Sequence, residues 1–318
     1  MEGQAVAFDV DLDQLLREVA DTARAEAAEG KVADYITSMA ELDPSKFGLA
    51  MVEMDGTEHV VGDVDEPFAI QSISKVFSLV VAMQRAEASK GVGNELWQRV
   101  GVEPSGDPFN SLVQLEQERG KPRNPMINAG ALVVDDVLLD HCDDPAGDIT
   151  KLLTDLCDEE IGIDEVVMTQ EGRSGHRNRA MAFLMSSFGN LTSSVDEVLD
   201  VYVRHCAISM TARQLARDSR FLANDGVDPG TGRRILPGEL ARRVAALMLT
   251  CGTYDSAGQF AFHVGIPCKS GVAGGILGLV PGEGAVCVWS PPLDPSGNSR
   301  AGRVALRELA ERLELSLF

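Results

Sequence analysis

The spacing of apolar residues differs between the two ends of the chain and its middle. Residues 12–28 carry apolar side chains three and four positions apart, which is the spacing of one face of a helix. Residues 46–54 alternate instead, and Asp55-Gly56 separates them from a second short apolar stretch, residues 57–61. An Asp-Gly pair between two such stretches is a strong hairpin signal. The pattern therefore predicts a helix followed by two antiparallel strands.

The long middle of the chain, roughly residues 72–252, is dominated by the apolar spacing of helices. Turn-forming stretches such as "EPSGDP" and "PGTG" interrupt this pattern. Helices are predicted near residues 72–89, 128–141, 148–160, 176–188, 194–206, 210–224 and 237–250.

The strand pattern returns towards the C-terminus. The stretches "QFAFHVG" (259–265), "SGVAGGILGLVP" (270–281) and "GAVCVWSPP" (284–292) each predict one strand. Helical spacing then covers about residues 300–315.

Five predicted strands thus lie at the two ends of the chain, with helices between them. Because isolated hairpins are marginal in water, the two ends are expected to meet in one sheet. The predicted fold is α/β of the α+β type: an antiparallel five-stranded sheet flanked by terminal helices, with a largely helical lobe inserted between strands. Within a single domain, residues 1–71 and 253–318 would form the sheet lobe and residues 72–252 the helical lobe.

The net charge of −21 narrows the classes of partner. Nucleic acids and anionic membrane surfaces attract basic patches, so neither is expected to bind. No apolar run approaches the roughly 20 residues of a membrane span. The first residues, "MEGQAVAFDVDLD", lack the basic and apolar regions of a signal peptide. We therefore expect a cytoplasmic protein.

The six cysteines and five histidines show no metal-binding spacing. No two cysteines form a C-x-x-C pair, and the histidines are scattered without an H-E-x-x-H motif. "DVDLD" (9–13) resembles the start of a calcium loop but lacks the later glycine and glutamate, so it is interpreted as a helix N-terminus. We expect reduced cysteines, no metal and no other cofactor.

The stretch "AIQSISKVFSLV" (69–80) places Ser72 and Lys75 at the start of an apolar helix. Residues three apart share a helix face, so these side chains can touch. Serine becomes a nucleophile when a base takes its proton, and neutral lysine is such a base. Lowering the pKa of lysine to about 7.5 requires about 4 kcal/mol, which burial and a nearby cation supply. The alternative is a serine that caps the helix, followed by a lysine that extends to solvent.

A second element favours catalysis. "PCKSGVAGG" places the tripeptide Lys269-Ser270-Gly271 at the predicted start of a strand, and S-x-x-K with a later K-[ST]-G is the pairing of Ser-Lys acyl-transfer enzymes. The strand edge would offer a backbone N–H opposite that of Ser72, and two such donors form an oxyanion hole. Lys269 would supply the cation that lowers the pKa of Lys75, and glycine would let the two backbones approach closely.

Tyrosine is rare in this chain, which contains only Tyr35, Tyr202 and Tyr254. Tyr254 lies in "TCGTYDSAG", a glycine-flanked turn just before the strands that carry Lys269. A phenol at this place can relay a proton to a leaving amine. The alternative is a buried tyrosine whose hydroxyl is satisfied within the core.

Over most of its length the chain resembles the serine-dependent glutaminases of the β-lactamase-like superfamily. The matching stretches follow the order of that family: "GKVADYI" (30–36), "FAIQSISKVFSL" (68–79), "GKPRNPMINAGAL" (120–132), "EGRSGHRNRAMAFLM" (171–185), "VYVRHCAISM" (201–210), "TCGTYDSAGQFAFHVGIPCKSGVAGGI" (250–276) and "SPPLDPSGNS" (290–299).

The resemblance implies a role for each matching residue. Ser72 would be the nucleophile, Lys75 its base, and Tyr254 the group that passes a proton to departing ammonia. The N–H groups of Ser72 and Val272 would form the oxyanion hole, with Lys269 in support. The glutamine pocket would be lined by Tyr35, Gln71, Ser72, Asn128, Glu171, Asn178, Tyr202, Tyr254 and Val272.

Such a pocket would match the charges of glutamine. The α-ammonium needs a carboxylate, for which Glu171 is the candidate. The α-carboxylate needs hydrogen-bond donors, which Asn128, Asn178 and Tyr202 can supply. The residues alone leave an alternative for both asparagines, because each could cap the helix that contains it.

The resemblance predicts an L-glutamine amidohydrolase that assembles as a homo-oligomer, either a dimer or a tetramer. One alternative is another Ser-Lys hydrolase, such as a β-lactamase or a transpeptidase. Those enzymes carry an S-x-N element between the two lysine motifs, whereas the "SGN" at 296–298 follows Lys269. The other alternative is a non-catalytic amino-acid sensor, which would be expected to lack one of Ser72, Lys75 and Tyr254.

Overall fold

The two ends of the chain meet in one antiparallel sheet in the computed structural model, which describes residues 10–88, 92–106, 108 and 110–318. Within these residues the strands are β1 (Gly48–Glu53), β2 (Glu58–Gly62), β3 (Phe68–Ala69), β4 (Gly162–Ile163), β5 (Ile208–Met210), β6 (Cys268–Ser270), β7 (Gly275–Val280) and β8 (Gly284–Trp289). The larger sheet has the spatial order β2-β1-β8-β7-β6. The prediction of a five-stranded antiparallel sheet is confirmed.

Helices make up most of the remaining structure. They are α1 (Leu12–Ala27), α2 (Thr37–Ala40), α3 (Ser74–Ala88), α4 (Val92–Arg99), α5 (Leu112–Gln117), α6 (Asn128–Leu139), α7 (Pro145–Cys157), α8 (Glu165–Ser174), α9 (His176–Ser187), α10 (Val195–Cys206), α11 (Ala212–Ala223), α12 (Gly238–Cys251), α13 (Ala257–His263) and α14 (Arg300–Arg312). All the helices predicted for the middle of the chain are present, although residue 89 lies outside the described residues. The helices that were not predicted are α2, α4, α5, α8 and α13.

Local sequence explains where several helices begin. The Asp11 side chain accepts a hydrogen bond from the backbone N–H of Gln14 and so caps α1, which confirms "DVDLD" as a helix N-terminus. Ser194 at the start of α10 and Thr211 at the start of α11 each form a capping box with the residue three positions later. These caps fix the two helices that flank β5.

One predicted strand is a helix instead, and another is interrupted by a turn. The stretch 259–265 is largely helical and lies in α13 and the residues that follow it. The stretch 270–281 is not one strand, because Ser270 ends β6 and a tight turn precedes β7. Gly274 in this turn has a φ of +96°, which favours glycine. Lys269 and Ser270 therefore end a strand and do not begin one.

Both faces of the large sheet are covered. One face, with Leu49 and Val288, packs in a cluster with α1 and α14. The other face, with Ala50 and Cys287, joins the main core, where α11 packs against β1, β7 and β8. Terminal helices on one face were predicted. The second face is closed by a helix from the middle of the chain, which explains why β7 and β8 are buried at every position.

A second, three-stranded sheet positions the residues that precede α3. Its order is β3-β5-β4, and Phe68 of β3 pairs with Met210 of β5. The Ile70 N–H extends this pairing by donating to the Ile208 carbonyl at 2.8 Å. This pairing therefore fixes the direction in which the chain enters the turn Gln71–Ile73.

Three further observations concern the described residues. The cysteines are free thiols. No grouping of His, Cys, Asp and Glu within the described ranges is suited to hold a metal ion. None of the helices described is both long and apolar enough to cross a lipid bilayer.

Candidate active site

Ser72 lies in a 3₁₀ turn, Gln71–Ile73, that runs directly into α3. The turn begins with Gln71 at a φ of +50°, a conformation that non-glycine residues rarely adopt. Such backbone strain persists only where the surrounding structure maintains it, and it clusters at functional sites. Ser72 is buried except for 6% of its surface, and it lines a cavity.

Lys75 follows Ser72 by one turn and is buried. Its Nζ donates a hydrogen bond to Oδ1 of Asn128 at 2.6 Å and lies 5.6 Å from the centroid of the Tyr202 ring. Burial lowers the pKa of Lys75 to about 8. The side chain is therefore a base near neutral pH, and the alternative of a solvent-exposed lysine is wrong.

Tyr254 begins a second 3₁₀ turn, Tyr254–Ser256, and also has a positive φ, +59°. Its hydroxyl donates to the Ser270 carbonyl at 3.1 Å and lies near the Ser72 side chain. Burial raises the pKa of Tyr254, so its phenol stays protonated and can donate.

The tripeptide Lys269-Ser270-Gly271 brings the end of β6 against the Ser72 turn. A Cβ on Gly271 would lie 2.6 Å from the Ile70 carbonyl oxygen, so glycine is required for this approach. Lys269 Nζ donates to the carbonyls of Gly252 and Ser270 at 3.0 and 2.7 Å. Lys269 therefore connects β6 to the loop that carries the tyrosine.

Lys75 and Lys269 are both buried, and each has a lowered pKa. Burial, and secondly the charge of Lys75, hold the pKa of Lys269 well below its usual value. Burial is likewise the largest cause of the lowered pKa of Lys75. The role of Lys269 as the cation that lowers the pKa of Lys75 stays a prediction.

One cavity of about 260 Å³ brings the predicted site residues together. This volume lies just below the usual range for ligand sites, about 300–1,000 Å³, which suits a small polar molecule. The cavity is lined by Tyr35, Gln71, Ser72, Asn110, Asn128, Glu171, Ser174, Gly175, Arg177, Asn178, Tyr202 and Val272. Tyr254 and Lys269 lie behind this wall, next to Ser72 and Val272.

Glu171 gives one end of the cavity an acidic group. Its Oε1 accepts a hydrogen bond from the Tyr35 hydroxyl at 2.6 Å. Burial raises the pKa of Glu171, while the hydrogen bond from Tyr35 acts in the opposite direction. Tyr35 is 47% exposed and lies at the cavity mouth. A cationic ligand group would find a buried carboxylate at this end.

The two asparagines face each other across the cavity wall. Asn128 Nδ2 donates to Oδ1 of Asn178 at 2.9 Å. Neither residue caps a helix, since α6 and α9 are preceded by Ile127 and Gly175 as N-cap residues without side-chain caps. The capping alternative for both asparagines is wrong.

Four lining residues were not singled out from the sequence: Asn110, Ser174, Gly175 and Arg177. Three of them lie where α8 meets α9, inside the matching stretch "EGRSGHRNRAMAFLM". Asn110 lies in a loop without a recognisable motif, so only the fold brings it to the cavity.

Sequence comparisons with known proteins identify the family. The family model described as Glutaminase matches residues 30–318. A glutaminase of Mesorhizobium japonicum is 51% identical over 310 residues, which cover 96% of each chain. A glutaminase of Methylobacterium radiotolerans is 49% identical over 311 residues, 97% of this chain and 99% of that protein.

Solved structures show the same fold. The crystal structure of a probable glutaminase from Bacillus subtilis has a TM-score of 0.88 at 35% identity and covers 96% of this chain and 97% of that one. A Bacillus subtilis probable glutaminase complexed with 6-diazo-5-oxo-L-norleucine has a TM-score of 0.86 at 33% identity, covering 98% and 99%. The fold is therefore β-lactamase-like, as predicted. On the strength of the family model, the relatives and the structures, this chain belongs to the glutaminase family.

Proposed function

We propose that this chain hydrolyses L-glutamine to L-glutamate and ammonia through a covalent ester on Ser72. Members of the glutaminase family are hydrolases that act on the side-chain amide bond of glutamine, and the family match spans residues 30–318. One observation supports the assignment of roles. Ser72, Glu171 and Asn128 line the same cavity, and Lys75 donates a hydrogen bond to Asn128.

The proposed reaction has two halves. Ser72 Oγ attacks the side-chain amide carbon of glutamine and passes its proton to neutral Lys75, while the N–H groups of Ser72 and Val272 stabilise the negative oxygen. Collapse of this intermediate breaks the C–N bond, and ammonia leaves with a proton delivered through Tyr254 or Lys75. Water then attacks the γ-glutamyl ester, and Lys75 takes a proton from the water and passes it to the Ser72 oxygen as glutamate is released.

The proposed binding mode uses the two polar ends of the substrate. Glu171 holds the α-ammonium, while Asn128, Asn178 and Tyr202 hold the α-carboxylate. A site built from such pairs rejects analogues that lack either group, because buried polar atoms would then stay unpaired. The Bacillus subtilis protein noted above was crystallised with a glutamine analogue, 6-diazo-5-oxo-L-norleucine.

The proposal is tested by ammonia release from glutamine and asparagine, and by ring opening of a β-lactam followed by absorbance, each compared between the parent and Ser72→Ala. We expect rapid release from glutamine in the parent and none in Ser72→Ala, which should still bind glutamine. Glutamine hydrolysis by Ser72→Ala would refute the assignment of Ser72 as the nucleophile. Turnover of the β-lactam would favour another Ser-Lys hydrolase, and glutamine binding without ammonia release in the parent would favour a sensor.

We further propose a cytoplasmic location and a homo-oligomer, either a dimer or a tetramer, organised in the sheet and helical lobes given above. The net charge of −21 is consistent with a protein that avoids nucleic acids and anionic membranes. Light scattering of the purified chain tests the assembly, because a monomer at micromolar concentration would contradict it.

A further inference from the structure

A buried hydrogen-bond chain lies directly behind the Ser72 turn and takes no part in the steps above. Ser74 Oγ lies 2.6 Å from the Gln71 carbonyl oxygen and 2.6 Å from Nδ1 of His205. On the far side of the imidazole, Nε2 lies 3.1 Å from Oδ2 of Asp135. Ser74, Asp135 and His205 are all 0% exposed. Polar groups this deep in the core are retained only with hydrogen bonds in a consistent direction.

The distances fix the direction of the protons. The Gln71 carbonyl can only accept, so the single Ser74 hydroxyl proton points to it. Nδ1 of His205 must then carry a proton and donate to the Ser74 oxygen, while Nε2 donates to the Asp135 carboxylate. His205 is therefore an imidazolium. Burial by itself lowers the pKa of His205, but the Asp135 carboxylate outweighs it and the pKa rises to about 10.

The Gln71 carbonyl belongs to the same peptide unit as the Ser72 N–H. In a planar trans peptide these two groups point in opposite directions. Holding the carbonyl from inside the core therefore fixes the direction of the N–H on the other side. The Ser74 N–H also donates to this carbonyl, so Gln71 is held by two bonds in its positive-φ conformation.

We propose that Asp135, His205 and Ser74 form a positioning relay that orients and polarises the Ser72 N–H as an oxyanion-hole donor. An imidazolium that donates to a hydroxyl, which donates to a carbonyl, draws electron density from the peptide and strengthens its N–H as a donor. None of the three residues touches the substrate in this scheme. The inference rests on the role proposed above for Ser72.

The relay also joins three helices of the site. Its members lie on α3, α6 and α10, and these helices also supply Lys75, Asn128 and Tyr202. The His205 ring packs edge-on against the Tyr202 ring, with centroids 5.3 Å apart. The relay therefore fixes the relative positions of the helices as well as one peptide.

Ser74→Ala tests the relay, and Ser78→Ala is its matched control. Ser78 lies one turn further along α3, is equally buried and donates to the other carboxylate oxygen of Asp135 at 3.2 Å. We expect Ser74→Ala to lower kcat for glutamine about tenfold to hundredfold with KM changed less than about threefold, because an oxyanion donor acts mainly in the transition state. Ser78→Ala should keep both constants within about threefold. Equal kcat values for the two folded variants would overturn the relay.

A second measurement does not depend on how a variant folds. In the full chain labelled with ¹⁵N-histidine, NMR at pH 8 should show a bonded proton on both ring nitrogens of His205. A proton on only one nitrogen would overturn the relay. The titratable groups that influence His205 or lie around it are Asp135 on α6, Lys75 on α3, and Cys206 and Tyr202 on α10.

Ser72→Ala separates this inference from the proposed function. Glutamine hydrolysis by Ser72→Ala would refute the role of Ser72 itself. An inactive Ser72→Ala together with an unimpaired Ser74→Ala would refute the relay alone. His205→Ala is a poorer test, because it would leave Asp135 buried without its partner and destabilise the whole fold.

Discussion

Asn128→Asp gives the sharpest test of Lys75 as the base. The change preserves side-chain shape and turns the amide oxygen 2.6 Å from Lys75 Nζ into a carboxylate oxygen. A carboxylate about 4 Å or less from an ammonium stabilises it by about 4 kcal/mol at an effective dielectric constant of about 20. A change of about 1.4 kcal/mol corresponds to one pKa unit. The pKa of Lys75 would therefore rise by about 3 from its value of about 8.

The expected loss of activity depends on pH in a defined way. At pH 8 about half of Lys75 is neutral in the parent, against about one molecule in a thousand in Asn128→Asp, so kcat should fall about 500-fold. At pH 9.5 the deficit should narrow to about 30-fold, since the neutral fraction of the variant rises about tenfold per pH unit. The assay is ammonia release at saturating glutamine from pH 6.5 to 9.5.

Asn178→Asp is the matched control. It places the same charge in the cavity wall, on the residue that accepts a hydrogen bond from Asn128. We expect it to raise KM by repelling the α-carboxylate and to leave the pH dependence of kcat unchanged. If the kcat profile of Asn128→Asp superimposes on that of the parent, the reasoning about Lys75 is refuted.

Three further substitutions test other parts of the structure. Glu171→Gln removes the buried carboxylate assigned to the α-ammonium, so KM should rise about tenfold to hundredfold while kcat changes less than threefold; an unchanged KM would contradict the assignment. Tyr254→Phe removes only the hydroxyl next to Ser72, and kcat should fall about 100-fold or more with KM nearly unchanged. Turnover at the parent level would exclude Tyr254 as the group that passes a proton to ammonia. Asp136→Ala leaves Arg99 without its buried carboxylate and should lower the free energy of unfolding by about 3–5 kcal/mol in urea titrations. Asp140→Ala is the control, since Asp140 is exposed and lies four residues after Asp136. It should lower the free energy of unfolding by less than about 0.5 kcal/mol. Equal losses in the two variants would show that Asp136 has no special role.

The elements predicted correctly from the sequence are those with a local signal. Asp55-Gly56 marks the β1–β2 hairpin by its own turn chemistry. The prediction of a strand at 259–265 was wrong because Phe260 and Phe262 alternate as in a strand. The helix found there buries Phe260 and leaves Phe262 84% exposed. An exposed phenylalanine looks the same in sequence as a buried one, and only the packing around it makes the distinction.

The site shows the same division. Ser72 and Lys75 could be paired from spacing alone, because residues three apart share a helix face. The contact between Asn128 and Asn178 could not, since it depends on how α6 packs against α9. His205 gave no signal at all: it meets Ser74 across 131 residues of sequence, in the interior of the protein.

The position of β8 between β1 and β7 has a consequence for how this protein forms in the cell. The N-terminal hairpin finds its neighbouring strand only in residues 284–289, near the end of the chain. Long-range pairing of this kind raises contact order and slows folding. During synthesis the edge of the hairpin that pairs with β8 therefore stays exposed until residues 284–289 have left the ribosome. A premature stop codon shortly before residue 284 should therefore yield an aggregating product and no smaller folded domain.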